Sequence, residues 1–337
     1  MKTPGFWYRP EATPAARLLA PAGALYDLAS RLRRAVIKPQ RAPVPVVCVG
    51  NLVAGGAGKT PVALALARRL AEIGIAVHVL SRGHGGSLAG PVRVDPDRHT
   101  AAEVGDEPLL LARAAPAWIS RDRPAGARAA ASAGAGLILM DDGFQNPSLA
   151  KDLSLLVVDG SSGFGNGRIL PAGPLRERPD DGLARADALV IMGPDRAGIA
   201  ALAARHGPPG RLGLPALGAR LVSSPEDAAR LRGRKVLAFA GIGRPEKFFA
   251  TLAELGAEIV GAVPYPDHHV YTPDEVMRLV ETAQERGAVP VTTEKDLVRL
   301  PPEARPMVEA LRVDLAWDDP AAVDAVLEPV VRRALRD

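Results

Sequence analysis

The chain has one cysteine in 337 residues, only 13 aromatic residues (six Phe, four Tyr, three Trp), and lysine at just seven positions. One cysteine excludes a disulfide within the chain and a cysteine-built metal or redox centre, and it fits a reducing compartment. Cys48 itself falls in an apolar run and reads as packing. The scarcity of aromatics argues against nucleic acid, which calls for stacking rings interleaved along a basic stripe. Also missing is any stretch of about 18 apolar residues free of charge and helix breakers, so no segment reads as a membrane span. The apolar part of the N-terminal region comes too late for a cleaved signal peptide.

What is present is 47% hydrophobic residues, 34 glycines, 32 prolines and a net charge of +4. The charge is concentrated at one end. Residues 1–45 carry Lys2, Arg9, Arg17, Arg31, Arg33, Arg34, Lys38 and Arg41 against Glu11 and Asp27, a net +6 that leaves the remainder at −2. Within 16–34, Leu18, Ala22, Leu25, Leu28 and Leu32 recur at helical spacing, interrupted by Pro21 and closed by Arg31, Arg33 and Arg34. Such a helix either lies in an anionic membrane interface or packs on the protein's own core.

The segment Val46-Val47-Cys48-Val49-Gly50-Asn51 enters a glycine-rich loop, Leu52-Val53-Ala54-Gly55-Gly56-Ala57-Gly58, that ends in Lys59-Thr60-Pro61. Strand, glycine loop, Gly-Lys-Thr and helix make a triphosphate-binding loop. Main-chain N–H groups from Val53 to Thr60 wrap the phosphates, Lys59 supplies a cation, and the Thr60 hydroxyl is placed for Mg²⁺. The general pattern places glycine where this chain has Val53, and the flexible positions have moved to Gly55 and Gly56. Lysine is absent from position 54, where nucleotide-switch proteins with a similar loop carry it.

Downstream, 59–73 reads as a helix, and strands follow at 76–81, 117–120, 136–140, 153–159 and 188–192. This alternation predicts a mostly parallel sheet covered by helices on both faces, with ligands beyond the carboxyl ends of the strands. The pattern loosens between 205 and 230 around Pro208, Pro209, Gly210, Gly213, Pro215 and Gly218. It resumes with a strand at 235–241, helices at 245–255 and 273–286, and strands at 288–292 and near 311–317. The predicted organisation is therefore α/β throughout: a basic arm over 1–43, a phosphate-loop domain over 44–215, and a smaller α/β domain over 216–337.

The polar motifs sit after predicted strands. Asp141-Asp142-Gly143-Phe144-Gln145 ends an apolar strand where the acidic partner of Mg²⁺ belongs, the alternative being an ordinary turn. Gly105-Asp106-Glu107-Pro108 opens a helix; Asp106 reads as its cap or as the carboxylate beside an acceptor hydroxyl. Arg82 follows the second strand, and Arg176 lies in Gly173-Pro174-Leu175-Arg176-Glu177, with forks suited to phosphate oxygens. Asp267-His268-His269 and Thr293-Glu294-Lys295-Asp296 complete the set.

Together with Ser81-Arg82-Gly83 and the aromatic start Phe6-Trp7-Tyr8, this ordered set resembles the tetraacyldisaccharide 4′-kinase family, the lipid A 4′-kinases. The resemblance spans nearly the whole chain. It implies two α/β/α domains, the first like the phosphate-loop NTPases, and an N-terminal helix that meets the membrane. It further implies Mg²⁺-dependent transfer of the γ-phosphate of ATP to the 4′-hydroxyl of a tetraacylated glucosamine disaccharide 1-phosphate, at the cytoplasmic face of the inner membrane. Carried over by position, Lys59 and Thr60 hold phosphates and metal, and Asp141, Asp142 and Glu107 serve the metal. Asp106 is the base, paired with a histidine assigned to His268, with His269 as the alternative; Arg82 and Arg176 stabilise charge. The family motif continues Ser-Arg-Gly with tyrosine, where this chain has His84. Without the resemblance, the same residues also suit a soluble small-molecule kinase or a nucleotide-switch ATPase of the targeting or metal-chaperone kind.

Overall fold

The computed structural model describes residues 4–9, 13–206 and 213–336. Thirteen strands run β1 (Val46–Gly50), β2 (Val77–Ser81), β3 (Val92–Arg93), β4 (Ala117–Ile119), β5 (Leu137–Asp141), β6 (Leu153–Asp159) and β7 (Ala188–Met192). They continue with β8 (Ala216–Ser223), β9 (Lys235–Ala240), β10 (Glu258–Pro264), β11 (Val289–Thr293), β12 (Glu309–Leu311) and β13 (Val313–Trp317). Nine form one sheet in the order β13-β8-β7-β6-β1-β5-β2-β4-β3; four form a second in the order β10-β9-β11-β12.

The large sheet is parallel from β4 through β8, with β3 and β13 antiparallel at its edges. Its central strands are buried on both faces, which is why they read as continuous apolar runs rather than alternating ones. β1 lies between β5 and β6, so the loop after β1 and the acids after β5 leave neighbouring strands at the same end. The helix Lys59–Glu72 buries Val62, Leu66, Ala67 and Leu70 in the same core as Val323, Leu327 and Val330 of the last helix, Pro320–Ala334.

In the small sheet, successive residues of β9 feed opposite faces. Leu237 and Phe239 pack with Val276, Leu279 and Val280 of the helix Pro273–Glu285, whereas Val236, Ala238 and Ala240 pack with Phe248 and Leu252 of the helix Pro245–Glu254. Period-two alternation on a sheet covered from both sides makes an α/β/α sandwich.

The sequence boundary at residue 216 does not follow the sheets. β8 pairs with β7, and β13 with β8, so the chain leaves the large unit after β8 and returns to it at β13 and the final helix. The single strand expected near 311–317 is two strands in different sheets. They part at Arg312, whose N–H donates to Asp227 Oδ2 at 2.8 Å and whose carbonyl accepts from Ser224. Of the expected linker, Pro208, Pro209 and Gly210 lie outside the described residues.

At the N-terminal end, α1 (Pro14–Val36) starts at Thr13, whose side chain accepts from the Ala16 N–H. Its inward face is Ala16, Gly23 and Asp27, with Gly23 close to the Ile169 carbonyl. The leucine stripe faces outward: Leu18 is 82% exposed, Leu25 69%, Leu32 57% and Val36 77%. Packing of that stripe on the protein's own core is thereby ruled out. No helix among the described residues is long and apolar enough to cross a membrane.

Candidate active site

The glycine loop is built as a strand-to-helix turn with left-handed backbone at Gly55 (φ 119°) and Gly58 (φ 89°), the second capping the helix that begins at Lys59. None of the Gly55–Gly58 amides donates to another main-chain group among the described residues, which leaves them available to an anion at a helix N-terminus. One expected loop contact, that of the Ala54 N–H, is corrected. Val53 is buried and bridges Leu175, and the Ala54 N–H is spent on the Pro174 carbonyl at 2.7 Å. Here lies the reason for valine where the general pattern has glycine: the loop's first half is stitched to 174–175.

Lys59 is nearly buried. Its Nζ donates to Asn51 Oδ1 at 3.1 Å and stands 3.6 Å from Asp142 Oδ2. Asp142 has left-handed backbone (φ 47°), which turns its carboxylate toward Lys59 and toward Arg176 Nη1 at 2.8 Å. Burial alone works against the Asp142 charge, but Lys59 and Arg176 outweigh it and hold the carboxyl below its ordinary range.

Asp141, the last residue of β5, is fully buried, and neither of its carboxylate oxygens has a hydrogen-bond partner. Burial, then the neighbouring charges of Glu107 and Asp142, push its carboxyl well above the usual range. A buried carboxylate without donors is costly unless a cation completes it. Among the described residues no three His, Cys, Asp or Glu side chains form a closed metal cage. Two carboxylates and the Thr60 hydroxyl instead suit Mg²⁺, which binds through one or two carboxylates and takes its remaining oxygens from phosphate and water.

A second cluster joins the two units. Gly105 (φ 89°) passes so close to the His84 carbonyl that a Cβ would meet it at 2.5 Å, and this delivers Asp106 to the start of the helix Asp106–Leu111. Asp106 Oδ2 accepts from His268 Nδ1 at 3.0 Å and from Arg299 Nε at 2.8 Å, with Arg299 Nη2 closer still. Lys295 Nζ stands 3.9 Å from the same oxygen and 3.4 Å from Glu107 Oε1. Arg299 is braced from behind by the Gly241 carbonyl at 2.7 Å and Asp296 Oδ1 at 3.1 Å. Burial on its own would raise the Asp106 carboxyl; the hydrogen bond from His268 and the charges of Lys295 and Arg299 win and hold it well below the usual range.

His268, with φ 59°, is the histidine that reaches Asp106. His269 turns into the small unit, where it stacks on Tyr265 and bonds Glu275 Oε2 at 3.2 Å. Arg82 stands exposed at the end of β2 and takes part in no ion pair among the described residues, and His84 is likewise exposed.

Sequence reasoning missed Arg299, Asn51, Gln145 and Glu177. It also missed Arg123, a buried guanidinium whose pKa falls to about 10 through burial and the nearby Arg82. The spacing Asp296-x-x-Arg299 after a strand was a signal for the first of these.

A family model described as tetraacyldisaccharide-1-P 4′-kinase matches residues 15–332. The chain belongs to that family. A Rhodospirillum centenum protein named tetraacyldisaccharide 4′-kinase is 60% identical over 334 residues, covering 98% of this chain and 97% of its own length. One of the same name from Rhodospirillum rubrum is 54% identical over 331 residues, covering 98% of each. Among solved structures, the apo-form LpxK from Aquifex aeolicus in complex with ATP superposes with a TM-score of 0.74 at 28% identity. That alignment covers 94% of this chain and 99% of the other.

In this member of the tetraacyldisaccharide 4′-kinases, the unpartnered Asp141 yields a test. Asp141→Asn exchanges a buried, donor-less carboxylate for a neutral amide, so in Mg²⁺-free buffer the variant melts several degrees above wild type while binding MgATP more weakly. Thermal denaturation and calorimetric titration read both effects. A lower melting midpoint in Mg²⁺-free buffer contradicts the assignment.

Proposed function

We propose that the chain transfers the γ-phosphate of ATP to the 4′-hydroxyl of a tetraacyldisaccharide 1-phosphate, as the family name describes, at the junction of the two α/β units. The observation that carries this reading is Asp106. It is a carboxylate kept ionised by His268, Lys295 and Arg299 of the small unit, while its neighbour Glu107 faces the Asp141 carboxylate beside the phosphate loop.

The Gly55–Gly58 amides and Lys59 hold the β- and γ-phosphates, and Arg176 and Arg82 offset charge developing on the transferred group. Thr60, Asp141 and Asp142, together with Glu107, would hold Mg²⁺, and that ion when bound would offset phosphate charge; in the transfer the bond from the γ-phosphorus to the β–γ bridging oxygen breaks. The 4′-oxygen forms the new bond to phosphorus, ADP departs, and the hydroxyl proton passes to Asp106. A depressed carboxylate serves here because the hydroxyl becomes strongly acidic only as its oxygen bonds to phosphorus. The acceptor must therefore be ionised and in place rather than strongly basic. His268, bonded to the same carboxylate, fixes its orientation and shares the charge change.

The outward stripe of α1, followed by Lys38 and Arg41, is the surface that meets the lipid, as a helix lying in the interface of the inner membrane's cytoplasmic leaflet. An acyl-chain substrate presented from that leaflet favours this reading over a soluble sugar kinase. The fate of the Ala54 N–H, bonded to Pro174 in a chain without lysine at 54, speaks against a nucleotide switch.

Asp106→Asn is expected to bind MgATP within about twofold of wild type yet transfer labelled phosphate to the lipid acceptor in mixed micelles about 10²–10⁴-fold more slowly, the range for loss of a positioned proton acceptor. Wild-type turnover would remove Asp106 from the role. Leu25→Asp with Leu28→Asp is expected to abolish sedimentation with anionic vesicles while leaving MgATP affinity unchanged; retained sedimentation means that another surface docks.

A further inference from the structure

Four consecutive residues beyond β6 tie the phosphate loop, Asp142 and α1 to one short segment. Leu175 bridges Val53 of the phosphate loop, and Arg176 pairs with Asp142 while its N–H donates to the Leu52 carbonyl at 2.7 Å. Glu177 pairs with Arg34 of α1 at 3.2 Å, and Arg178 with Asp27 of α1 at 2.8 Å. Arg31 of α1 adds a two-pronged pair to Asp181, both contacts at 2.9 Å. The helix carrying the outward leucine stripe is thus fastened to the same short segment that stitches the phosphate loop.

Glu177 is the centre of this arrangement. It is fully buried, and its charge is met by two guanidiniums, Arg34 from α1 and Arg185. Its other oxygen accepts from Gln145 Nε2 at 3.0 Å, and the same nitrogen donates to the Asn51 carbonyl at 2.8 Å. The Asn51 side chain then receives Lys59 Nζ at 3.1 Å and lies within 3.4 Å of the Gly55 carbonyl through its amide nitrogen. Polar contacts thus lead from Arg34 through Glu177 and Gln145 to the main-chain carbonyl of Asn51, the residue whose side chain accepts from Lys59. Neutralising one cation on a buried carboxylate shifts what the remaining neighbours must satisfy, and in a low-dielectric interior such networks respond as a unit.

We propose that Arg34 and Glu177 are positioning residues for phosphate binding, through which the seating of α1 sets the placement of Lys59 and the glycine loop. The inference rests on the reading of Lys59 as an ATP ligand. Because coupling between sites is reciprocal, ATP in the loop in turn favours the seated helix. A lipid kinase wired this way binds ATP tightly when its acceptor-facing helix is in place.

The test compares equilibrium MgATP affinity and melting midpoint in full-length Arg34→Gln, Arg34→Lys and Arg33→Gln. Arg33 is the neighbouring exposed arginine of α1 and takes part in no ion pair among the described residues, so it controls for loss of charge on the helix. R34Q is expected to weaken MgATP binding about tenfold, the lower end of the scale for coupling between close charge pairs, in a folded protein. R34K restores most of that loss, and R33Q stays within about twofold of wild type, the scale of a surface substitution. Equal affinity in R34Q and R33Q overturns the proposal. Should R34Q not fold, Gln145→Leu interrupts the path one link further on and is expected to weaken binding comparably; wild-type affinity there overturns it as well. Failure of wild type itself to bind MgATP would instead refute the reading of the loop.

Discussion

The arrangement depends on one buried carboxylate held from across a cleft. Asp106 belongs to the large unit, yet the groups that keep it charged, His268, Lys295 and Arg299, all come from the small one. A carboxylate this buried would otherwise take up a proton, and breaking a buried pair by removing one partner is strongly destabilising. The site is therefore completed by the contact between units. Asp159, at the end of β6, makes a second bridge to Arg244 and Lys247 of the small unit. Because β8 and β13 run side by side where the chain leaves and re-enters the large sheet, the small unit is tethered at both ends of its sequence.

The two acidic neighbourhoods divide the electrostatic work. Around Asp106 cations are in excess and hold the carboxyl ionised; around Asp141 donors are missing, and burial with the Glu107 and Asp142 charges favours its protonated form. Glu107 stands between them, paired with Lys295 on one side and felt by Asp141 on the other. Two carboxylates pushed in opposite directions by their surroundings fit the division proposed above, one to receive a proton and one to share a divalent cation.

Much of this was legible in the sequence because parallel sheets place chemistry where strands end. The run from Val46 into Gly58-Lys59-Thr60 and the step from Met140 into Asp141-Asp142 are local signals, and both fell where expected. The pairing of Arg299 with Asp106 was not legible, since 193 positions separate the two and only the docking of two units brings them together. The orientation of α1 was undecidable for a different reason. A leucine stripe looks the same whether it is buried or exposed; here Ala16, Gly23 and Asp27 form the inward face, Gly23 lying against the Ile169 carbonyl, and the leucines are left outside. The unit boundary was misplaced because one apolar stretch near Arg312 serves two sheets, a division made by the bond to Asp227 rather than by any change in composition.

The central claim, that the small unit's cations hold Asp106 ionised for catalysis, is tested most directly by the pH dependence of turnover in Arg299→Gln, with folding verified by near-UV circular dichroism. In wild type, Asp106 remains charged well below the ordinary carboxylate pKa, so its protonation does not limit turnover in mildly acidic solution. Removing Arg299 raises the Asp106 pKa, and the acid limb of the kcat profile should move to higher pH. A folded variant whose acid limb coincides with that of wild type would contradict the account.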